Sequence, residues 1–272
     1  MLVDFHCHTV ASDGSLAVSE LLGAMRARGV GICSITDHDT VAAYDELAGA
    51  PASAPRMVSG VEINTSYGRD EVHVLGYGFS LEPGSPLRST MSANLAARRL
   101  RVERMVEQLR AADVPLKLDD VLKEAGRAVS LGRPHVAKAL VRRGLVRDVE
   151  RAFRTLLARG GPGYVAADHI RPHDAVAAIA AAGGISVLAH PGRLRDEAVL
   201  RELVDAGLDG LEVFYPSHGP AQTAHFRALA ARYGLVMSAG SDFHDARWNS
   251  GGVGIDVEAA DIEPFLERLK PR

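Results

Sequence analysis

The fold class is indicated by residues 2–35, which contain three informative stretches: LVDF at residues 2–5, SELLGAMRAR at residues 19–28 and VGICSI at residues 30–35. The first and last stretches are short apolar runs of strand length, and the middle one has the apolar spacing of a helix. The alternation returns later, with helices predicted at 172–182, 195–206 and 220–233 and strands at 185–189, 211–214 and 236–239. Strands that alternate with helices predict an α/β fold with a parallel sheet and crossover helices.

The middle of the chain, from about residue 87 to residue 159, has helical patterns and no run typical of a strand. Residues 98–159 contain 16 Lys and Arg against 8 Asp and Glu, a charge of +8, whereas the other residues together carry −11. The sequence therefore predicts a discontinuous body, residues 1–90 and 160–272, with a basic, all-helical insertion or cap domain at 91–159. Its charge suits an ordinary solvated surface or a lid that attracts an anionic substrate.

The composition excludes several classes of protein. The chain has 272 residues, a net charge of −3 and 47% hydrophobic residues, which is typical of a globular protein and gives no sign of duplex DNA binding. Apolar runs fall far short of the ~18 residues that a membrane span requires. Residues 1–5 have neither a basic region nor a long apolar stretch, and the only cysteines are Cys7 and Cys33. We expect a cytoplasmic protein without disulfides or membrane contact, either a monomer or a small homo-oligomer.

Histidines mark the ends of several predicted strands. His6 and His8 follow the first strand, and the two-residue period of an extended chain places them on one face, with Cys7 on the other. Asp242 and His244 repeat this spacing after the strand at 236–239. Each pair can bring two ligands to one metal ion, although a single such pair is a weak signal.

Further donors stand near other strands. His38 follows the strand at 30–35, His190 follows the strand at 185–189, and Glu62 and His73 lie in apolar runs at 57–63 and 71–78. Taken singly, each is more often a buried hydrogen-bonded side chain, and Asp13 in the first loop is more often a turn residue. Strand ends converge on one face of such folds, however, where sites are built.

The donors together indicate a multinuclear metal site. They comprise six histidines and three carboxylates: His6, His8, Asp13, His38, Glu62, His73, His190, Asp242 and His244. Imidazole and carboxylate ligands without thiolate suit Zn, Mn or Fe. Nine donors are too many for one ion, so we expect two to three divalent ions bridged by carboxylates, with a positive centre that attracts phosphate.

The order of these motifs resembles that of the PHP family, the polymerase and histidinol phosphatase metal-dependent phosphoesterases. The resemblance extends from residue 4 to residue 244 and rests on His6-x-His8 with Asp13, Thr36-Asp37-His38, Glu62, His73, His190-Pro191 and Ser241-Asp242-x-His244. It implies a distorted (β/α)7 barrel that hydrolyses phosphate esters at a site with up to three metals.

One branch of the family resembles the chain most, that of nucleoside 3′,5′-bisphosphate phosphatases and 5′-to-3′ exoribonucleases acting on short RNA. The resemblance to this branch rests on the helical insertion and on residues 132–135 (GRPH), 190–193 (HPGR) and 212–218 (EVFYPSH). It implies that one ion takes His6, His8, Glu62 and Asp242, a second shares Glu62 and adds His73 and His190, and a third takes Asp13, His38 and His244. Spacing alone does not give this partition.

Four further residues are expected to contact the substrate. Arg133 and His135 open a predicted helix with Pro134 in its first turn, and such N-termini bind phosphate, although capping is the ordinary alternative. Arg193 lies three residues after His190, and His218 follows a strand end. We expect His169, His173 and His225 to be structural, and the single Trp248 leaves base stacking unassigned.

The expected reaction is in-line attack on phosphorus by a metal-bridging hydroxide. Glu62, Asp242 and His218 are the predicted catalytic residues, the last as a proton donor to the leaving group, and arginines neutralise the phosphate charge. The alternatives are a phosphatase for histidinol phosphate or another small metabolite, and a non-catalytic PHP binding module. A deaminase or amidase on a related barrel would also use imidazoles and carboxylates, but has a different order of motifs.

Overall fold

The computed structural model describes residues 1–49, 54–68, 70–80, 82 and 84–269. The strands are β1 (Leu2–Asp4), β2 (Ile32–Cys33), β3 (Arg56–Met57), β4 (Gly60–Tyr67), β5 (Asp70–Tyr77), β6 (Ile185–Leu188), β7 (Gly210–Phe214), β8 (Val236–Ala239) and β9 (Ile255–Asp256). The α-helices are α1 (Val18–Arg28), α2 (Pro86–Ala111), α3 (Leu118–Ala125), α4 (Arg133–Arg142), α5 (Val149–Thr155), α6 (Pro172–Ala181), α7 (Ala198–Asp205), α8 (Pro220–Tyr233) and α9 (Ala259–Arg268).

The described strands form two sheets, in the orders β3-β2-β1-β9 and β4-β5-β6-β7-β8. Two isolated bridges connect the sheets, Cys7 with Phe243 and His38 with Glu62. The fold is therefore mixed α/β, as expected. The strands do not close into one continuous barrel among the described residues, and the two bridges place residues after β1 and β2 beside those of the larger sheet.

The expectation of parallel strands is correct only in part. The β1–β2, β2–β3, β6–β7 and β7–β8 pairs are parallel, whereas β4–β5, β5–β6 and β1–β9 are antiparallel. For β4 and β5 the reason is the short connection between them, since Tyr67 at the end of β4 pairs with Asp70 at the start of β5. So short a connection makes a hairpin, because a parallel crossover needs about a dozen residues or more.

Several element ends differ from the sequence-based expectations. The run at 57–63 is divided between β3 and β4, and β4 continues to Tyr67. Helix α7 begins at Ala198, whose N–H donates to Asp196, rather than at 195. The glycines predicted to end helices at positions 29, 183, 207 and 234 all have positive φ, between 66° and 93°. No described helix is long and apolar enough to cross a membrane.

The described residues form four hydrophobic clusters: two against the larger sheet, one around α1 and β2, and one among helices α2–α5. In the cluster between the larger sheet and α9, Phe5, Tyr77 and Phe265 pack edge to face at 5.0–6.2 Å between ring centroids. The helical core includes Met105, Leu109 and Leu140. Residues 86–155 include no strand among those described. Leu100 on α2 is 46% exposed, although its neighbours Val102 and Met105 on the same helix are buried.

Candidate metal centre

The nine expected ligands converge on one region of the molecule. His6 and His8 follow β1, His38 follows β2, His190 follows β6, and Asp242 and His244 follow β8. Glu62 and His73 lie on the paired strands β4 and β5, and Asp13 lies in the loop before α1. The ends of separate strands thus bring together donors that are up to 238 residues apart in sequence.

Glu62 lies at the middle of the cluster. It is 1% exposed, and imidazole nitrogens of five histidines lie within 3.4 Å of its carboxylate oxygens. The five distances are 2.8 Å for His73, 2.9 Å for His38, 3.1 Å for His190, 3.3 Å for His8 and 3.4 Å for His6. A carboxylate with so many imidazoles around it has the position expected of a bridging ligand.

Asp242 and Asp13 organise the rest of the cluster. Oδ1 of Asp242 lies 3.3 Å from His8 Nε2 and 3.4 Å from His6 Nε2. Asp13 contacts His244 Nε2 at 3.3 Å and His38 Nε2 at 3.7 Å. The three carboxylates are therefore distributed through the histidine cluster rather than gathered at one end.

Ligand atoms within 4.8 Å of one another form four groups: His8, Asp13, His38 and His244; His6, His8 and Asp242; His6, Glu62 and His190; and His38, Glu62 and His73. The first two groups match most of the third and first ions that the family resemblance implies. His73 and His190, implied to share one ion, belong to different groups that have Glu62 in common. The detailed partition stays a prediction.

The donor set fits divalent metal ions. Five of the ligand atoms are buried with no hydrogen-bond partner among the described residues: His6 Nε2, His8 Nε2, Asp13 Oδ1, His38 Nδ1 and Glu62 Oε2. A buried polar atom without a partner is costly. Coordination to more than one cation would satisfy these atoms, so the cluster is suited to bind divalent metals.

The electrostatics of the cluster favour metal binding as well. Burial, helped by the charge of His244, lowers the pKa of His8 to about 3, which keeps its imidazole neutral and able to coordinate. Burial opposes ionisation of Glu62, but the surrounding histidines, His38 and His73 foremost, hold its pKa well below the usual range. His244 differs: burial opposes its charge, but Asp13 and Asp242 raise its pKa to about 9, so this imidazole holds a proton that a bound metal ion has to displace.

A buried carboxylate, Glu212 on β7, orients two of the ligands. Its Oε1 accepts a hydrogen bond from His6 Nδ1 at 2.9 Å, and its Oε2 accepts from the backbone N–H of His190 at 2.6 Å. A proton on Nδ1 leaves Nε2 of His6 free to coordinate. The sequence analysis gave Glu212 no role, although a carboxylate within the apolar run at 211–214 was a signal that it is buried for a reason.

The backbone is strained at two of the ligands. His190 has φ of 31° and Asp242 has φ of 50°, in the left-handed region that residues other than glycine seldom occupy. The Tyr215 hydroxyl donates to Asp242 Oδ2 at 2.9 Å and helps to hold that side chain. Strain concentrated at these positions is typical of a functional site.

A cavity of about 200 Å³ opens beside the cluster, and four arginines line it: Arg98, Arg101, Arg133 and Arg193. Arg133 and Arg193 were expected near the substrate. Arg133 lies 3.2 Å from Glu71, and Arg193 lies 3.2 Å from Oδ2 of Asp242. The two arginines thus lie on the cavity wall, one of them in contact with an expected metal ligand.

Arg98 and Arg101, both on α2, were missed by the sequence analysis. Arg98 is only 6% exposed; its Nε donates to the Leu131 carbonyl at 2.9 Å and its Nη1 lies 3.7 Å from Asp39. Arg101 donates to Glu71 at 2.6 Å. Their only sequence signal was the general positive charge of residues 98–159.

His135 and His218 do not have the surroundings expected of substrate-binding residues. Nδ1 of His135 accepts from the Gly132 N–H and Nε2 donates to the Ser12 carbonyl, each at 3.0 Å, so the ring supports the loop that carries Asp13. Nδ1 of His218 donates to the Val213 carbonyl at 3.0 Å, and Nε2 accepts from the Gly192 N–H at 3.2 Å. With both nitrogens engaged by backbone groups, His218 has no proton directed at the cavity.

His173 and His225 have contacts typical of structural residues, whereas His169 does not. His225 contacts Glu197 at 2.8 Å and His173 contacts Asp174 at 3.3 Å, both near the surface. His169 is buried, and neither ring nitrogen has a hydrogen-bond partner among the described residues. Trp248 is 46% exposed, with the cations of Lys138 and Arg247 at 5.4 and 5.8 Å from its ring.

Three curated relatives match nearly the whole chain. A 3′,5′-nucleoside bisphosphate phosphatase of Chromobacterium violaceum is 34% identical over 99% of this chain and 97% of its own length. A phosphoribosyl 1,2-cyclic phosphate 1,2-diphosphodiesterase of Eggerthella lenta is 34% identical over 95% of this chain and all of its own length. The 5′-3′ exoribonuclease Rnm of Escherichia coli is 35% identical, with coverage of 90% and 85%. No protein-family model matches the chain.

Two solved structures are similar throughout. One, described as an amidohydrolase from Chromobacterium violaceum with bound sulfate and no metal, has a TM-score of 0.88 and 33% identity, covering 99% of this chain and 97% of its own. The other, a metal-dependent phosphoesterase of Bifidobacterium adolescentis, has a TM-score of 0.84 and 33% identity, covering 97% and 95%.

The fold and the cluster define a hydrolase that acts with divalent metals at a cavity whose lining includes four arginines. With relatives of at least 34% identity along almost its full length, the chain belongs to the PHP family of metal-dependent phosphoesterases.

Proposed function

We propose that this protein removes the 3′-phosphate of nucleoside 3′,5′-bisphosphates and hydrolyses the first linkage of short 5′-phosphorylated RNA. The observation that carries the proposal is the meeting of nine metal donors with four arginines at one cavity. The metal cluster can bind the phosphate that reacts. Four arginines at the same cavity are more than one phosphate requires, which favours a substrate with two phosphates. The names of the Chromobacterium and Escherichia relatives support a nucleotide or RNA substrate.

Two to three divalent ions, Mn, Fe or Zn, would be held by the nine donors, of which Glu62 belongs to two of the ligand groups. Such ions neutralise phosphate charge and lower the pKa of bound water, which provides a nucleophile at neutral pH. Glu212 keeps the proton of His6 on Nδ1, away from the metal side. The chain itself thus contributes the ligands, their tautomers and the shape of the site.

The arginines divide between two phosphates in this proposal. Arg193, 3.2 Å from Asp242, is placed to contact the phosphate that reacts. Arg98, Arg101 and Arg133 line the cavity from the helical segment and hold the second, 5′-phosphate, because planar guanidinium groups bind phosphate through paired donors. We do not assign His135 or His218 to the substrate, since their ring nitrogens bond to the backbone.

The same bond breaks in both substrates. Water adds to phosphorus, the P–O3′ bond of the first nucleotide breaks, and O3′ takes up a proton. A bisphosphate then gives a 5′-mononucleotide and inorganic phosphate. An RNA chain gives a 5′-mononucleotide and a shorter chain that again begins with a 5′-phosphate, which allows the next cycle.

The finer organisation of the chain belongs to the same proposal. The two sheets, connected at Cys7–Phe243 and His38–Glu62, correspond to the distorted (β/α)7 barrel of the family, formed by residues 1–90 and 160–272. Residues 91–159 form a helical cap with its own core. The cap contacts the loop that carries Asp13, because Lys138 donates to the Asp13 backbone carbonyl at 3.1 Å. We propose a monomer or small homo-oligomer in the cytoplasm, with no duplex DNA partner.

Phosphate release with added Mn²⁺ tests the proposal. The substrates are adenosine 3′,5′-bisphosphate, AMP, histidinol phosphate and a 5′-phosphorylated trinucleotide, and ammonia release from amides is measured in parallel. We expect phosphate from the bisphosphate, with AMP as the other product, and mononucleotides from the RNA. A preference for histidinol phosphate, ammonia release, or no turnover by metal-loaded protein would favour the metabolite phosphatase, the amidohydrolase or the binding module, respectively.

Arg133→Ala tests the second-phosphate assignment. Because Arg133 is placed at the 5′-phosphate, the variant should raise KM for the bisphosphate more than for a simple 3′-monophosphate. Equal effects on the two substrates would contradict that assignment.

A further inference from the structure

The loop that carries Asp13 is held from the helical cap. We call residues 9–14, between β1 and α1, the Asp13 loop. The backbone carbonyls of three consecutive residues in this loop accept hydrogen bonds from the cap. The four bonds run from the Val129 N–H and the Ser130 N–H to Ala11 at 2.8 and 3.2 Å, from His135 Nε2 to Ser12 at 3.0 Å, and from Lys138 Nζ to Asp13 at 3.1 Å.

The body of the protein anchors the Asp13 loop on both sides of the ligand. The Ser12 hydroxyl donates to the buried carboxylate of Asp37, which follows β2. Beyond the loop, the Ser15 N–H donates to the His244 carbonyl at 2.8 Å. Between these two anchors, the contacts of the loop carbonyls with the cap determine where the ligand carboxylate lies.

Asp13 belongs to one of the four ligand groups only. We call it the Asp13 group, and its other members are His8, His38 and His244. Oδ1 of Asp13 is buried without a hydrogen-bond partner, 3.3 Å from His244 Nε2. Elsewhere in the cluster the support comes from the body, where Glu212 on β7 bonds to both His6 and His190. A change in the contacts with the cap should therefore act on one metal ion and leave the others in place.

His135 connects the start of α4 to the Asp13 loop. The side chain is only 3% exposed; its Nδ1 accepts from the Gly132 N–H and its Nε2 donates to the Ser12 carbonyl. A single neutral tautomer makes both bonds. Arg133, on the same first turn of α4, lines the metal cavity. The start of this helix thus contacts the cavity on one side and the loop of a metal ligand on the other.

We propose that His135 is a positioning residue for the metal ion of the Asp13 group. Its hydrogen bond to the Ser12 carbonyl fixes the backbone next to Asp13, and thereby the direction of the Asp13 carboxylate. Groups that orient a metal ligand typically account for ~10- to 100-fold in metal affinity. The role rests on the proposed function, because it concerns the same metal cluster, but it is tested by metal binding and not by turnover.

Two substitutions separate the loop contact from the capping of α4. His135→Asn has an amide oxygen near the position of Nδ1, which can accept from the Gly132 N–H, but the side chain ends short of the Ser12 carbonyl. His135→Gln is longer, and its amide can donate to that carbonyl in the place of Nε2. His218→Ala is the matched control, because His218 also bonds to two backbone groups but lies in the body.

Metal affinity is measured by competition with a chelator, starting from metal-free protein. We expect His135→Asn to bind one metal ion about ten-fold less tightly and the others as wild type does. His135→Gln should stay within about three-fold of wild type, and His218→Ala should match it.

A double variant identifies the ion that is affected. Asp13→Ala lacks the ligand itself, so His135→Asn added to it should cause no further loss of affinity. In metal-free protein, the amide hydrogens of residues 11–14 should exchange faster in His135→Asn than in His135→Gln. Thermal unfolding shows whether each variant is folded.

Three results would overturn the role of His135. They are unchanged metal affinity in His135→Asn, an equal loss for every bound ion, and an additive loss in the double variant. Wild-type protein that binds no divalent metal would overturn the proposed function together with this role. Metal-loaded protein that hydrolyses no nucleotide would overturn the proposed function alone.

Discussion

Replacing Glu212 by Gln is the sharpest perturbation of the metal centre that leaves every proposed ligand in place. The side chain keeps its shape but has one acceptor oxygen instead of two. The His190 N–H at 2.6 Å is a fixed donor and will claim that oxygen. The amide NH₂ then faces His6 Nδ1, which lies 2.9 Å from the other carboxylate oxygen in the native protein.

This arrangement forces a change of tautomer at His6. To accept from the amide, Nδ1 must lose its proton, and the proton moves to Nε2, the atom that lies 3.4 Å from both Glu62 and Asp242. A protonated Nε2 cannot coordinate a metal. Loss of such an orienting carboxylate typically weakens metal binding ~10- to 100-fold, or ~1.4–2.7 kcal/mol.

Metal affinity is measured by competition with a chelator of known affinity, starting from metal-free protein. Glu263→Gln, an exposed carboxylate on α9, is the control for the loss of one charge. We expect Glu212→Gln to bind its weakest-bound metal ion ~10- to 100-fold less tightly than wild type. The control should bind metal as tightly as wild type does. Unchanged affinity and stoichiometry in Glu212→Gln would refute the tautomer argument.

Three further predictions follow from the same contacts. A Cβ on Gly240 would clash with Cβ of His6, so Gly240→Ala should destabilise the fold by ~1–3 kcal/mol and weaken metal binding. Gly251→Ala, with open space around it, should do neither, and equal urea midpoints for the two variants would contradict this. Metal at 100 times its Kd should add ~2.7 kcal/mol of stability over protein treated with EDTA, a rise in Tm of roughly 5–10 °C in a thermal scan, and an unchanged Tm would count against a site in the folded state. His218→Ala should cost ~1–3 kcal/mol in chemical denaturation, because two buried backbone groups lose their partners, but should retain metal and the shape of the pH–rate profile; loss of the basic limb would show instead that His218 is the proton donor.

The positions of six of the nine donors could be predicted from the sequence because these residues follow strand ends, which local patterns indicate. His6 and His8 after β1, and Asp242 and His244 after β8, depend only on the period of an extended chain and on the convergence of strand ends. The direction of β5 was harder to predict, because an apolar run does not indicate whether a strand is parallel or antiparallel to its neighbours. Only the short connection between Tyr67 and Asp70 determines it.

Contacts between distant parts of the chain were the hardest to predict. Arg98 reaches the cavity because α2 crosses it, and no local pattern separates this arginine from Arg99, which is exposed. His135 and His218 were expected at the substrate from their neighbours in sequence. Their ring nitrogens instead form hydrogen bonds with backbone groups of Ser12 and Gly192, which the tertiary fold brings next to them.

Hydrolysis of nucleotide phosphate esters at this metal cluster is tested by adding Mn²⁺ stepwise to metal-free protein. Bound metal and the phosphate released from adenosine 3′,5′-bisphosphate are measured in the same samples. We expect phosphate release to rise with the amount of bound metal and AMP to accumulate in equal amount. Full occupancy without release of phosphate, or equal release before any metal is bound, would contradict hydrolysis at this cluster.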